Sequence, residues 1–151
     1  MKLLPALLCA CLALAGCGRR VPNATPDGAV RELVERMRRV KGDPADAKAA
    51  FEMLSKHSQE NLVQRAKRYS DASGKAIAPE AMLAPSRFLL RFEPQRYVAQ
   101  VSGAYAHVEI LGLQADQRAK VPAIFEDGVW KVELVFPLLP PVQMRPGSEQ
   151  P

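Results

Sequence analysis

VPAIFEDGVWKVELVF, residues Val121 to Phe136, decides how the rest of the chain is read. Two apolar runs flank Asp127-Gly128, a dipeptide suited to the type I′ turn because both central residues take positive φ. With those two as the loop, Phe125 faces Trp130, Ala123 faces Val132 and Val121 faces Leu134, all on one side of a hairpin. Ile124, Glu126, Lys131 and Glu133 fall on the other side. One dry and one mostly wet face means that another part of the chain must cover the hairpin. Residues 137–151 contain five prolines, which cannot donate to a ladder, so the last strand is expected to stop at about Phe136. The tail beyond it, including the P-x-x-P match Pro137-Leu138-Leu139-Pro140, reads as extended or disordered.

Upstream of the hairpin the apolar period is two. Tyr105 to Leu111 alternates, with Ala106, Val108 and Ile110 inward and Tyr105, His107 and Glu109 outward. Arg96 to Val101 alternates as well, which places Tyr97, Ala99 and Val101 inward before a turn at Ser102-Gly103. Phe88 to Phe92 reads as extended, and Asp116-Gln117 connects into the hairpin.

Further back the period changes to that of a helix. Thr25 is an N-cap with Pro26 at the first helical position, and Val30, Leu33, Val34, Met37 and Val40 form one stripe before Gly42 stops it. Glu32 and Glu35 lie one turn ahead of Arg36 and Arg39, the favourable order for ion pairs. The cluster Arg36, Arg38, Arg39, Lys41 is either an anion-binding patch or a solvated face that complements the helix C-terminus. A second helix opens at Asp43-Pro44 with Ala47, Ala50, Phe51 and Leu54 inward. A third carries Leu62, Val63, Ala66 and Tyr69 and stops at Gly74. The pattern leaves open whether these two are one bent element; His57, at their junction, reads as a cap or surface residue rather than a ligand. Pro79 starts a short turn through Met82 and Leu83 that Pro85 ends. Helices followed by an antiparallel meander make the class α+β, with N-terminal helices packed on a curved sheet of about four strands.

The chain has 151 residues, 48% of them apolar and 25% charged, with a formal charge of +5, which suits one globular domain. Its first residues are a separate matter. Lys2, the apolar run Leu3 to Leu14 and the small residues before Cys17 form a secretory signal too short to span a bilayer. Leu14-Ala15-Gly16-Cys17 resembles the lipobox of bacterial lipoproteins, which implies cleavage between Gly16 and Cys17 and lipidation of the Cys17 thiol. The alternative is a plain signal peptide cut after Ala13-Leu14-Ala15. The expected organisation is a signal peptide over 1–16, lipidated cysteine and tether over 17–24, an α+β domain over 25–136 and a Pro-rich tail over 137–151. Arg19 and Arg20 beside the lipid either touch an anionic surface or are solvated linker charges. Two or three acyl chains hold a protein on a membrane far more firmly than one, and Gly18 in place of Asp mildly favours the periplasmic face of the outer membrane.

Helices followed by a meander that ends in EDGVWKVELV resemble the nuclear-transport-factor-2-like superfamily, a cystatin-like α+β cone, and most closely its small bacterial lipoproteins. The likeness is carried by Pro26 to Leu33, Gly42-Asp43-Pro44 with Ala50 and Leu54, Ala106 with Val108, and Glu126 to Val132. It implies a pocket enclosed by sheet and helices, which enzymes of that superfamily use for acid and base work with an Asp, His or Tyr inside. Here the inward strand positions hold no carboxylate or histidine, and His107 with Glu109 falls on the outer face. Tyr97, Phe125 and Trp130 either line such a pocket or are plain core.

Two histidines fifty residues apart exclude a His-Glu-x-x-His zinc site, and both other cysteines, Cys9 and Cys11, lie in the segment to be removed. No Gly-rich phosphate loop or Gly-x-Ser-x-Gly elbow occurs, so no cofactor or metal is implied. Scattered basic residues argue against nucleic acid. The resulting expectation is a non-enzymatic envelope lipoprotein, membrane-bound through its anchor, whose partner is a protein, a polymer or a small apolar ligand. Two alternatives are an isomerase or cyclase-type enzyme using the cone and a cationic dock for anionic lipid or polymer.

Overall fold

The computed structural model describes residues 21–40, 44–83 and 88–139. Gly16, Cys17 and the rest of the leader and tether up to residue 20, the Gly42 stop, the Asp43 cap, the Pro85 stop and the tail from 140 lie outside the described residues.

After a 3₁₀ turn at Pro22–Ala24, helix α1 runs Pro26–Arg39. The Thr25 hydroxyl accepts the Gly28 N–H at 3.2 Å and Pro26 occupies the first position, as the cap signature requires. Pro26, Ala29, Val30, Leu33 and Met37 are buried, and α1 packs across all four strands of the sheet. Helix α2 (Pro44–Glu52) and helix α3 (Lys56–Ser73) are two elements, not one bent one. The break has a cause in the sheet: Val132 N–H donates to Met53 O and Ser55 N–H donates to Val132 O, both at 2.9 Å. This parallel bridge between Leu54 and Val132 holds the chain extended where a continuous helix would need it coiled.

Helix α3 ends at Gly74, whose φ of 68° is the left-handed conformation that suits glycine. Its inner stripe differs from the expected one: Ser58, Leu62 and Ala66 are buried at steps of four, whereas Val63 and Tyr69 are 47% and 58% exposed. A helix turns 100° per residue, so neighbours of the stripe at 63 and 69 swing to its flanks. A second 3₁₀ turn at Pro79–Met82 packs against α3 and α2. Residues 88–92, expected to be extended, join no ladder; Phe88, Leu90 and Phe92 instead pack onto the core.

The sheet is a four-stranded antiparallel meander: β1 Arg96–Ser102, β2 Tyr105–Leu111, β3 Arg118–Glu126 and β4 Val129–Val132. Asp127 and Gly128 have φ of 51° and 82°, and the register pairs Phe125 with Trp130 and Ala123 with Val132. Strand β4 ends at Val132, four residues before the expected Phe136. The N-terminus of α3 takes over there: Leu134 N–H donates to the Ser58 hydroxyl at 2.8 Å, while Glu133 N–H still reaches Pro122 O at 3.0 Å. Ala106, Val108, Ile110, Ala123, Trp130 and Val132 form the buried face. Val101 and Phe125, expected inward, are 56% and 44% exposed. Both stand one pair short of a two-residue turn, at the end of the sheet.

The charged face of α1 also pairs differently. Glu32 bonds Arg36 at 2.8 Å as the spacing requires, but Glu35 lies 3.6 Å from Arg38, and Arg39 turns to Asp46 at 3.2 Å. Asp46 stands in the first turn of α2 and is also 3.6 Å from Arg36, so tertiary packing outbids the helical neighbour.

Candidate functional site

The buried stripe of α1 and the inner face of the sheet do not close completely on one another. Val30, Leu33, Val34 and Met37 on α1, Ile110 on β2, Val121 on β3 and Leu134 after β4 surround a cavity of about 230 Å³. Leu83 and Phe88 to Leu90 complete its wall. Every lining side chain is apolar, and no ionisable group stands among them within the described residues. Such a wall cannot transfer a proton; it can only exclude water and hold apolar matter. Its volume is below the roughly 300–1,000 Å³ of pockets for drug-sized ligands.

None of Tyr97, Phe125 and Trp130 lines this cavity. Trp130 is 9% exposed and packs on Phe125, with ring centroids 5.4 Å apart at 59°. That pair occupies the turn end of the sheet. Tyr97 lies at the other end, opposite Ile110, half-buried with the Arg31 guanidinium 5.1 Å above its ring. Burial pushes the Tyr97 hydroxyl pKa up, with Glu35 adding to the rise and Arg38 and Arg31 opposing it. The alternation placed all three on one face, but Tyr97 is level with Ile110 and Ala119, whereas Trp130 is level with Phe125, much further along β3.

A polar cluster that the sequence reading did not assemble joins α3 to the strand end. Ser55 and Ser58 are fully buried, with their hydroxyl oxygens 2.9 Å apart. Ser55 caps α3 by accepting the Ser58 N–H at 3.1 Å, and its hydroxyl donates to Glu133. Each hydroxyl has one proton. The Ser58 hydroxyl therefore donates to Ser55 while accepting from Leu134 N–H. The second Glu133 oxygen lies 2.6 Å from His57 Nδ1, and that contact raises the His57 pKa above its ordinary value. Beside it Glu126 accepts the Lys56 N–H at 3.0 Å, and Lys56 Nζ reaches Asp127 at 3.0 Å.

Serine, glutamate and histidine in contact invite comparison with a hydrolytic triad, and the order of contacts rules it out. A nucleophilic serine needs the imidazole as its immediate base. Here the carboxylate stands between them, and the Ser55 oxygen is closed to substrate. The cluster is a clasp between the α3 N-terminus and residue 133. Ser55 is a residue type suited to capping a helix, a local signal left unused in the sequence, but nothing local announces Glu133, 78 positions away.

The remaining sequence candidates are spread out. His107 is exposed on the outer sheet face, and Glu109, on the same face, lies 3.8 Å from Arg118. Arg36, Arg38 and Arg39 each have a carboxylate partner, so the cationic face of α1 is largely neutralised. No group of three or more His, Cys, Asp or Glu positioned for a metal occurs among the described residues, and no described helix is long and apolar enough to cross a membrane. Comparisons of the chain with protein-family models, curated proteins and solved structures find no match.

Proposed function

We propose that this chain is a lipid-anchored binding module of the bacterial cell envelope, built as a nuclear-transport-factor-2-like cone whose cavity takes a small apolar ligand. The observation that carries the binding role is the cavity between α1 and the sheet, walled by apolar side chains alone among the described residues. The anchor rests on Leu14-Ala15-Gly16-Cys17, and the cone on the order of helices and meander. An isomerase or cyclase role has less support, because His107 and Glu109 stand on the outer face of the sheet, away from the cavity. A cationic dock has less support too, since Arg36, Arg38 and Arg39 already hold carboxylates.

Two measurements test the proposal. Cys17→Ala should abolish incorporation of radiolabelled palmitate and release the protein from the membrane fraction; a variant still labelled and fully sedimented would overturn the anchor. For the cavity, membranes carrying the full chain are irradiated with a dodecanol that bears a diazirine near its chain end. Crosslinks should map to the inner side of α1 around Leu33 to Met37, and Val34→Phe, which fills the cavity, should remove them. Absence of crosslinks there, or crosslinks that Val34→Phe leaves unchanged, would overturn the binding role.

A further inference from the structure

The apolar cavity has a neighbour. A second cavity, of about 400 Å³, lies between α3, the Pro79–Met82 turn and residues 135–137. The two meet at three places along the chain. Phe88 lines both; Met82 faces the outer one and Leu83 the inner; Val135 faces the outer one and Leu134 the inner. Phe88 stands edge-on to Phe136, with centroids 6.0 Å apart and planes at 81°, so this aromatic pair marks the waist between them.

The walls differ in chemistry. The outer cavity carries Arg65 and Tyr69, four residues apart on α3 and therefore on one face of it. Arg65 is fixed in place: Nε donates to Asn61 Oδ1 at 2.7 Å, Nη2 donates to the Pro137 carbonyl, and the guanidinium lies 5.3 Å from the centre of the Phe136 ring. All three partners are uncharged. Where Arg36, Arg38, Arg39 and Arg118 have carboxylates nearby, Arg65 has none among the described residues. A positioned guanidinium with donors to spare, beside a phenol and above a water-excluding cavity, is a receptor for an anion attached to something apolar.

We propose that the two cavities form one site for a single-chain anionic amphiphile, with the hydrocarbon chain in the inner cavity and a carboxylate or phosphate head on Arg65 and Tyr69. The proposal rests on the apolar-ligand reading above and adds the head group. The inner volume of about 230 Å³ takes the chain, and the charge falls on the side where the polar wall is.

The test compares head groups on the same photoreactive twelve-carbon chain, using membranes that carry the full protein. The carboxylate should crosslink to the inner side of α1 about tenfold more efficiently than the alcohol, and the trimethylammonium analogue less than either. Arg65→Gln, which keeps a donor for Asn61, should erase the preference for the anion and leave alcohol crosslinking unchanged. Arg65→Lys should restore part of it. A matched lysophosphatidate separates a membrane-lipid source from a free fatty acid; preference for either anion over the alcohol supports the site. Equal crosslinking by anion and alcohol would overturn the head-group assignment while leaving the apolar cavity intact. Absence of crosslinking to the inner side of α1 by every probe in wild type would overturn both. If Arg65→Gln lowers all probes together, with a lowered melting temperature, Tyr69→Phe provides the second reading: it should weaken the anion alone, and an unchanged anion preference there would count against the site.

Discussion

Ser55→Ala removes one oxygen atom from the clasp, and the structure says what that atom does. It caps α3 through the Ser58 N–H, receives the Ser58 hydroxyl and donates to Glu133, all at a position with no solvent exposure. Loss of a serine N-cap costs about 1 kcal/mol. A hydrogen bond to a charged group contributes about 1.5–3 kcal/mol. Glu133 is 26% exposed and keeps His57, so water and the imidazole recover part of that, and the lower end applies. The sum is about 2–3 kcal/mol. Urea unfolding followed by Trp130 fluorescence should show a lower midpoint with an unchanged slope, since the surface exposed on unfolding stays the same. Glu133→Gln and the double variant complete a cycle, whose coupling should exceed about 0.5 kcal/mol because the two groups touch. A loss below about 1 kcal/mol, or additive single variants, would show that the clasp is not a cooperative unit.

The His57 imidazole should titrate above the ordinary value of about 6.5, because Glu133 favours its protonated form. A folded-state pKa above the unfolded one means that the stabilisation is fully present below about pH 6.5 and is lost as pH rises through the folded value. Proton NMR of the ring should show this, with Glu133→Gln moving the titration back down; a His57 pKa at or below the ordinary value counts against the contact. Trp130→Ala should cost about 3–5 kcal/mol because the ring is buried in the core, whereas Phe125→Ala, at 44% exposure, should cost about 1–2 kcal/mol. Comparable losses at both sites in thermal unfolding would contradict the one-sided burial of the pair.

Much of the fold was legible because it depends on neighbours in the chain. Asp127-Gly128 names its turn through positive φ, and a period of two then dictates that Phe125 meets Trp130 and Ala123 meets Val132. Thr25, Pro26 and Gly74 mark helix ends by groups within four residues of the backbone they satisfy. The candidate site was legible only in part. Alternation placed Tyr97, Phe125 and Trp130 on the inner face, but position along the strands, not face, decides which residues meet a cavity.

Local dihedral preference and periodicity were enough to give the α+β class, the pairing of Phe125 with Trp130 and of Ala123 with Val132, and the apolar character of the inner face; the expected Val121–Leu134 pair does not form, because β4 stops at Val132. The other features come from long-range packing. It separated α2 from α3 by a bridge to Val132, ended β4 there and joined Ser55 to Glu133. It also left Val101 and Phe125 exposed at the turn end of the sheet and opened cavities on either side of Phe88. These features arise where surfaces distant in sequence meet, and the fit between two such surfaces is a property of their packing that neither segment encodes alone.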